Sequence, residues 1–333
     1  MLSPASISKE AGRTAWLFPG QGSQSVGMAK ETLLASAAAR DVWARVDRAL
    51  GEPLQELVMN GPEESLTLTA NAQPAILATS AAVLAALRER FPDLPLPGLG
   101  AGHSLGEYSA LLSAGALSVE DGVRLVRARG LAMQEAVPPG VGAMAAVMGL
   151  DADAVTAVCQ QVEEEEQATS GEVVRPANFN SPGQIVIAGH AKAVARAVAV
   201  AGTRGGKAKV LNVSAPFHSP LMAPAARALE KQLAQVTIAP LAFPVVANVD
   251  ARPNRDEGRV KELLVRQVDG AVRWEETIRF MHEQGITHAL EIGPGKVLAG
   301  LSRRVVKDLK VLSVCDPKSF DEVPAFLSAA GTS

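Results

Sequence analysis

The first apolar positions form a short continuous run, Thr14-Ala15-Trp16-Leu17-Phe18, that stops at Pro19-Gly20-Gln21-Gly22-Ser23-Gln24. A run of that length closed by proline and glycines predicts a buried strand ending in a tight loop. Residues 28–90 read as mostly helical, and the Ala- and Leu-rich stretch 75–87 predicts a helix with its apolar side on a sheet. Pro74 suits the first turn of that helix, which leaves Gln73 just outside it. Pro92, Pro95 and Pro97 break the pattern. The small-residue run Gly98-Leu99-Gly100-Ala101 follows, and beyond it Leu105, Tyr108, Leu111 and Leu112 are spaced three and four apart. This predicts a strand that turns sharply into a helix. Residues 119–137 form another amphipathic helix carrying Arg124, Arg127 and Arg129, a spacing that normally marks a solvated face. Gly130 beside Arg129 leaves room there for a close approach.

Pro138-Pro139-Gly140 marks a boundary. After it the pattern predicts a strand at 142–150, a helix at 151–162, strands at 173–178 and 184–188, a helix at 191–202 and a strand at 207–213. That β-α-β-β-α-β order is the split pattern of a ferredoxin-like domain. Glu163 to Glu166, with the residues up to 172, reads as an exposed connector. The chain then returns to the first unit with a strand at 243–249, kept at an edge or a start by Pro244, and a helix at 260–268. Gln267 falls on the stripe of Val260, Leu263 and Leu264, so a polar side chain faces inward. A last strand, 288–292, ends at Gly293-Pro294-Gly295, and the stretch beyond Pro317 reads as a terminal helix and tail. Strands alternating with helices predict an α/β fold with a mostly parallel sheet covered on both faces. The predicted divisions are a discontinuous large domain at 14–139 and 214–318, an inserted small subdomain at 140–213, and tails at 1–13 and 319–333.

Composition narrows the possibilities. With 47% hydrophobic and 20% charged residues the chain is an ordinary globular protein, and a net charge of -3 argues against nucleic acid as a partner. No stretch has the ~20 uninterrupted apolar residues of a membrane span, and residues 1–13 lack the apolar core of a secretory signal. Two cysteines, Cys159 and Cys315, without a CxxC motif, exclude a disulfide framework and a cysteine zinc site and suit a cytoplasmic protein. Gly20 and Gly22 begin a dinucleotide-binding fingerprint, but Ser25 occupies its third glycine position.

The chemistry centres on Gly102-His103-Ser104-Leu105-Gly106. A serine between glycines two residues away on either side, at a strand-to-helix turn, is the layout of a nucleophile elbow. The following helix directs its positive end at charge developing on an attacked carbonyl. A serine nucleophile needs a base, and His218, in the turn Pro216-Phe217-His218-Ser219-Pro220, is the candidate.

The chain resembles malonyl-CoA:acyl carrier protein transacylases and the related acyltransferase domains of polyketide synthases. The resemblance spans about residues 14–312 and rests on seven stretches in the family's order. They are Phe18-Pro19-Gly20-Gln21-Gly22-Ser23-Gln24, Gln73-Pro74-Ala75, Gly102 to Tyr108, Arg129-Gly130 with Met133-Gln134, Asn178-Phe179-Asn180-Ser181-Pro182-Gly183-Gln184, Pro216-Phe217-His218, and Glu291-Ile292-Gly293-Pro294-Gly295. It implies a hydrolase-like core with an inserted ferredoxin-like subdomain and the active site between them. Ser104 resembles the acylated nucleophile, His218 its base, and Gln21 and Leu105 the backbone oxyanion donors. Arg129 falls on the family's carboxylate-binding arginine, which fits malonyl because a guanidinium holds a carboxylate through two parallel hydrogen bonds. Gln267 resembles the glutamine whose backbone carbonyl orients the histidine, and no third carboxylate is evident near His218. His103, Phe217, Gln73, Asn178 and Asn180 are expected around the pocket, with Phe217 crowding the acyl α-carbon in favour of malonyl over methylmalonyl.

The implied partners are malonyl-CoA and a phosphopantetheinylated acyl carrier protein, with no metal and no cofactor beyond the coenzyme A thioester. A cytoplasmic monomer without nucleic acid or membrane contacts is expected. Basic residues at Arg204, Lys207 and Lys209, or at Arg303, Arg304 and Lys307, are candidates for meeting an acidic carrier. An acyl-thioester hydrolase with the same serine and histidine, using water as acceptor, is the alternative.

Overall fold

The computed structural model describes residues 12–330 other than 168, 169 and 214. Most of the 1–13 tail and the last three residues of the 319–333 tail therefore lie outside the described residues. Numbered along the chain, the larger sheet has the strand order β10 (Lys310–Val314), β9 (His288–Ile292), β1 (Thr14–Phe18), β2 (Leu99–Gly102), β7 (Val245–Val246) and β8 (Pro253–Asn254). All its pairings are parallel except β7 with β8. The five residues of β1 are buried, with Trp16 and Phe18 in the core on one face and Ala15 and Leu17 in the core on the other. The strand reads as an unbroken apolar run because both faces are covered.

A second, antiparallel sheet has the order β4 (Val174–Ser181), β5 (Gln184–His190), β3 (Gly142–Met148) and β6 (Lys207–Val210). Period-two alternation divides its side chains. Ala145, Val147, Ile185 and Ile187 pack under the helices Ala152–Gln167 and Ala191–Thr203 through Val155, Val158, Val162 and Val194. Met144, Val186 and Ala188 turn the other way, into the core of the larger sheet. The backbone ties the two together where Phe179 N donates to Val272 O at 2.9 Å and Val272 N to Ala177 O at 2.8 Å.

Five sequence expectations change. The helix expected to start at Pro74 runs from Thr69 to Arg90, with Pro74 inside it and Gln73 buried in its second turn. Proline lacks the N–H that would bond the Ala70 carbonyl, and Arg127 Nη1 donates to that carbonyl at 2.7 Å instead. Arg127 also bonds Asn71 and pairs with Glu52, so it leaves the solvated face assigned to it. A Cβ at Gly130 would come within 2.7 Å of the Thr69 carbonyl oxygen, so that glycine lets the two helices meet. The acidic connector is helical as far as Gln167, because Glu163 pairs with Arg175 and Glu165 with Arg196. The strand expected at 243–249 shortens to Val245–Val246 because the chain turns at once, with Ala247 N on Arg252 O and Ala251 at φ 51°. Beyond Pro317 the described chain is packed rather than a loose tail: the helices Pro317–Phe320 and Val323–Ala330 bury Phe320, Val323 and Leu327. Thr69–Arg90 is long and apolar enough to cross a membrane by length and composition, but 89% of that window is buried and it serves as the core helix of the fold.

Candidate active site

β2 delivers Gly102 to the turn and the helix Gly106–Ser113 leaves it, with Ser104 between them at φ 52°. A non-glycine residue in the left-handed region is strained and needs support from its surroundings. A Cβ at Gly102 would overlap the Gly106 carbonyl, and a Cβ at Gly106 would overlap the Phe18 carbonyl oxygen. Asn248 then fastens the turn: its Oδ1 accepts from Ser104 N at 2.7 Å and its Nδ2 donates to Gly102 O at 2.7 Å.

The three residues expected to converge do so on one hydroxyl. Ser104 Oγ lies 2.7 Å from His218 Nε2 and accepts from Arg129 Nη2 at 3.0 Å. His218 sits in a turn at φ 59°, and its Nδ1 donates to the carbonyls of Gln267 at 2.9 Å and Gly270 at 3.2 Å. Carbonyls only accept, so Nδ1 carries the proton and the Nε2 lone pair faces the serine. Burial, and then the Arg129 guanidinium, hold the His218 pKa down to about 3, against the pull of the two carbonyls. The imidazole is therefore a neutral base.

Arg129 is 1% exposed. Besides the serine it donates through Nη1 to Gln73 Oε1 at 2.7 Å and through Nη2 to Gln267 Oε1 at 3.0 Å, and it lies 5.5 Å from the Tyr108 ring centroid. Its Nε is buried without a partner among the described residues. Burial lowers its pKa.

A cavity of about 320 Å³ opens over these groups, lined among others by Gln21, Gln73, His103, Met133, Met144, Asn178, Phe217 and His218. His103 is fixed from behind by Asn180, whose Oδ1 is 2.8 Å from His103 Nε2, so Asn180 meets that wall rather than the cavity. Leu105 is buried beside the serine at the helix start, and Gln21 is anchored through Nε2 on Thr69 Oγ1 at 3.1 Å. Gln267 lies behind the serine, outside the cavity lining. No group of three or more His, Cys, Asp or Glu side chains among the described residues could hold a metal ion.

Sequence reasoning missed Asn248 and Glu107. Glu107 is 2% exposed and accepts through Oε2 from Asn248 N and Gln267 Nε2, both at 2.8 Å. Burial raises its pKa to about 7, opposed by those two donors and by Arg129. Glu107 was within reach as a carboxylate in the first turn after the elbow. Asn248 carried no signal, because its partners are 144 and 146 positions away.

A mostly parallel α/β sheet that ends in a strained serine turn, with a neutral histidine and a buried guanidinium on the same hydroxyl, suits acyl chemistry through that serine, the class to which acyltransferases belong. The family model for the acyl transferase domain matches residues 15–323, and the chain belongs to that family. It is 47% identical over 311 residues to the malonyl CoA-acyl carrier protein transacylase of Bacillus subtilis (strain 168), covering 93% of this chain and 95% of that one. The Escherichia coli (strain K12) protein of the same name is 44% identical over 306 residues, covering 92% and 96%. Among solved structures, the acyl-carrier-protein-S-malonyltransferase of Bartonella henselae superposes with a TM-score of 0.90 at 47% identity, covering 95% of this chain and 99% of that one. A malonyl-transacylase solved in complex with its type II PKS acyl-carrier protein gives 0.88 at 43% identity, covering 93% and 98%.

Proposed function

We propose that the chain moves a malonyl group from coenzyme A to the phosphopantetheine thiol of an acyl carrier protein, through an ester on Ser104. The observation that carries this is the single hydroxyl 2.7 Å from a neutral imidazole and 3.0 Å from a buried guanidinium. In the first half, His218 Nε2 takes the hydroxyl proton as Ser104 Oγ attacks the thioester carbonyl carbon, and the C–S bond breaks as His218 returns the proton to the coenzyme A sulfur. In the second half the carrier thiol gives its proton to His218, its sulfur attacks the ester carbon, and Ser104 Oγ leaves with that proton. Every proton is carried by His218, so the chemistry as written needs no metal or cofactor.

The backbone amides of Gln21 and Leu105 are the oxyanion donors in this reading. The Ser104 amide is already committed to Asn248, which supports Leu105 as the donor on the elbow side. Once Oγ is acylated, Arg129 Nη2 turns to the malonyl carboxylate, and the unpartnered Nε–H beside it completes a two-pronged grip. Phe217 crowds the acyl α-carbon. The malonyl-transacylase names of the relatives support the same substrate.

In fold terms we read the larger sheet as a hydrolase-like core and residues 140–213 as an inserted ferredoxin-like subdomain. The β-α-β-β-α-β order and the β4-β5-β3-β6 sheet support the latter. A cytoplasmic monomer is proposed, and the two free cysteines suit a reducing compartment. Intact-protein mass spectrometry tests the function. Malonyl-CoA should add one malonyl group, Ser104→Ala should abolish it, and a holo carrier protein should remove it and gain it. Release as free acid, without a carrier, would instead identify a hydrolase.

A further inference from the structure

Arg129 is a buried cation whose acceptors, Gln73 Oε1, Ser104 Oγ and Gln267 Oε1, are all uncharged. Among the described residues no carboxylate forms an ion pair with it. Such a charge is costly to keep in a dry site unless an opposite one is close. Glu107 is buried on the far side of Gln267, and the two charges act on one another. The amide of Gln267 stands between them, with Oε1 accepting from Arg129 Nη2 at 3.0 Å and Nε2 donating to Glu107 Oε2 at 2.8 Å.

We infer that Glu107 is the counter-charge of Arg129, held one amide away through Gln267 so that the guanidinium keeps its charge while its donors stay open to a substrate carboxylate. This rests on the reading of Arg129 as the carboxylate anchor. A carboxylate directly on the guanidinium would fill the fork the substrate needs; an interposed amide does not. Glu107 is also a positioning residue. Glu107 Oε2 is an acceptor for two N–H donors, so the Nε2 end of Gln267 faces it and Oε1 is thereby turned to Arg129. The same Gln267 holds Ser104 O through Nε2 at 2.9 Å and His218 through its backbone carbonyl.

Glu107→Gln is the discriminating change, because one amide oxygen can accept both bonds that Oε2 now accepts while the negative charge is lost. With the full chain, KM for malonyl-CoA should fall roughly three- to tenfold in the variant, as the charge opposing an incoming anion disappears. The change in kcat should be smaller, and KM for acetyl-CoA should stay put. Equal shifts for both thioesters, or none for either, would reduce Glu107 to a hydrogen-bond acceptor and overturn the inference. A thermal-melt cycle with Arg129→Met gives an independent reading. At alkaline pH, where Glu107 is ionised, Glu107→Gln should restore stability to the Arg129→Met chain, which otherwise buries an uncompensated carboxylate, and additive losses there would refute the pairing. A wild-type chain that takes no malonyl group overturns the anchor reading alone, since the melt cycle still decides whether the two charges are coupled.

Discussion

Replacing Arg129 with alanine separates anchoring from catalysis. If the guanidinium grips the malonyl carboxylate with two charge-assisted bonds of about 1.5–3 kcal/mol each, its loss weakens the transition state by roughly 3–6 kcal/mol. At about 1.4 kcal/mol per factor of ten, that is on the order of a hundred- to ten-thousandfold in kcat/KM for malonyl-CoA. The variant also strands Gln73 Oε1 and Gln267 Oε1, which now accept from Arg129, at about 1–3 kcal/mol each. Part of any loss therefore belongs to the fold. The ratio between substrates removes that part, because both thioesters meet the same damaged protein. Acetyl-CoA has no carboxylate to anchor and no longer faces a buried cation, so the malonyl-to-acetyl preference should fall about a hundredfold or more. The assay is the rate of Ser104 acylation by each thioester, read by intact-protein mass spectrometry, with a melt on the same sample. Equal losses for the two thioesters would refute the anchor, and Arg129→Lys, which keeps the charge but not the fork, should fall between.

With its pKa held at about 3, His218 is unprotonated over the ordinary range, so the acylation rate should show no acid limb from the histidine near the ~6.5 of a free imidazole; a limb there that persists in Glu107→Gln, which removes the other group titrating near neutral pH, contradicts the geometry. The same depression has a stability sign. Between about 6.5 and about 3 the unfolded chain binds a proton that the folded chain refuses, so melts should fall as pH drops through that window; His218→Gln should flatten the fall, and an unchanged slope would refute it. Phe217→Ala should relax the preference for malonyl-CoA over methylmalonyl-CoA in paired acylation assays, and equal discrimination in both proteins sinks the crowding argument. Gly106→Ala drives a Cβ into the Phe18 carbonyl and should cost on the order of 1–3 kcal/mol in urea unfolding, whereas wild-type stability would contradict the close packing at the elbow.

Most elements were legible because they obey a local rule. β1 and the elbow follow from an apolar run, two glycines and a three-and-four spacing, and the element order of the second sheet and its helices follows from the pattern of strands and helices along the chain. The misplaced start of the helix Thr69–Arg90 shows where local rules end. A proline forbids one hydrogen bond, and the helix tolerates that because Arg127, 57 positions away, supplies a donor to the stranded carbonyl. The shortened strand at Val245–Val246 has the same kind of cause: the next residues turn away and bring Asn248 to the serine.

The site divides along the same line. Ser104 was legible from its elbow motif and His218 from the need of a serine for a base, Arg129 only from the family resemblance, while the groups that hold them in place are generic. Among the described residues no carboxylate bonds His218: two main-chain carbonyls hold its Nδ1, and any residue can present a carbonyl. The substitution has a physical consequence. A carbonyl orients the imidazole without the stabilisation a carboxylate gives its protonated form, so His218 remains a weak, neutral base beside a guanidinium that further disfavours its protonation. A carboxylate placed there would compete for Arg129. Keeping negative charge off the histidine and behind Gln267 leaves the guanidinium beside the serine, its Nε–H unpartnered, without an anion in direct contact. A substrate that brings its own carboxylate then supplies the charge the site lacks.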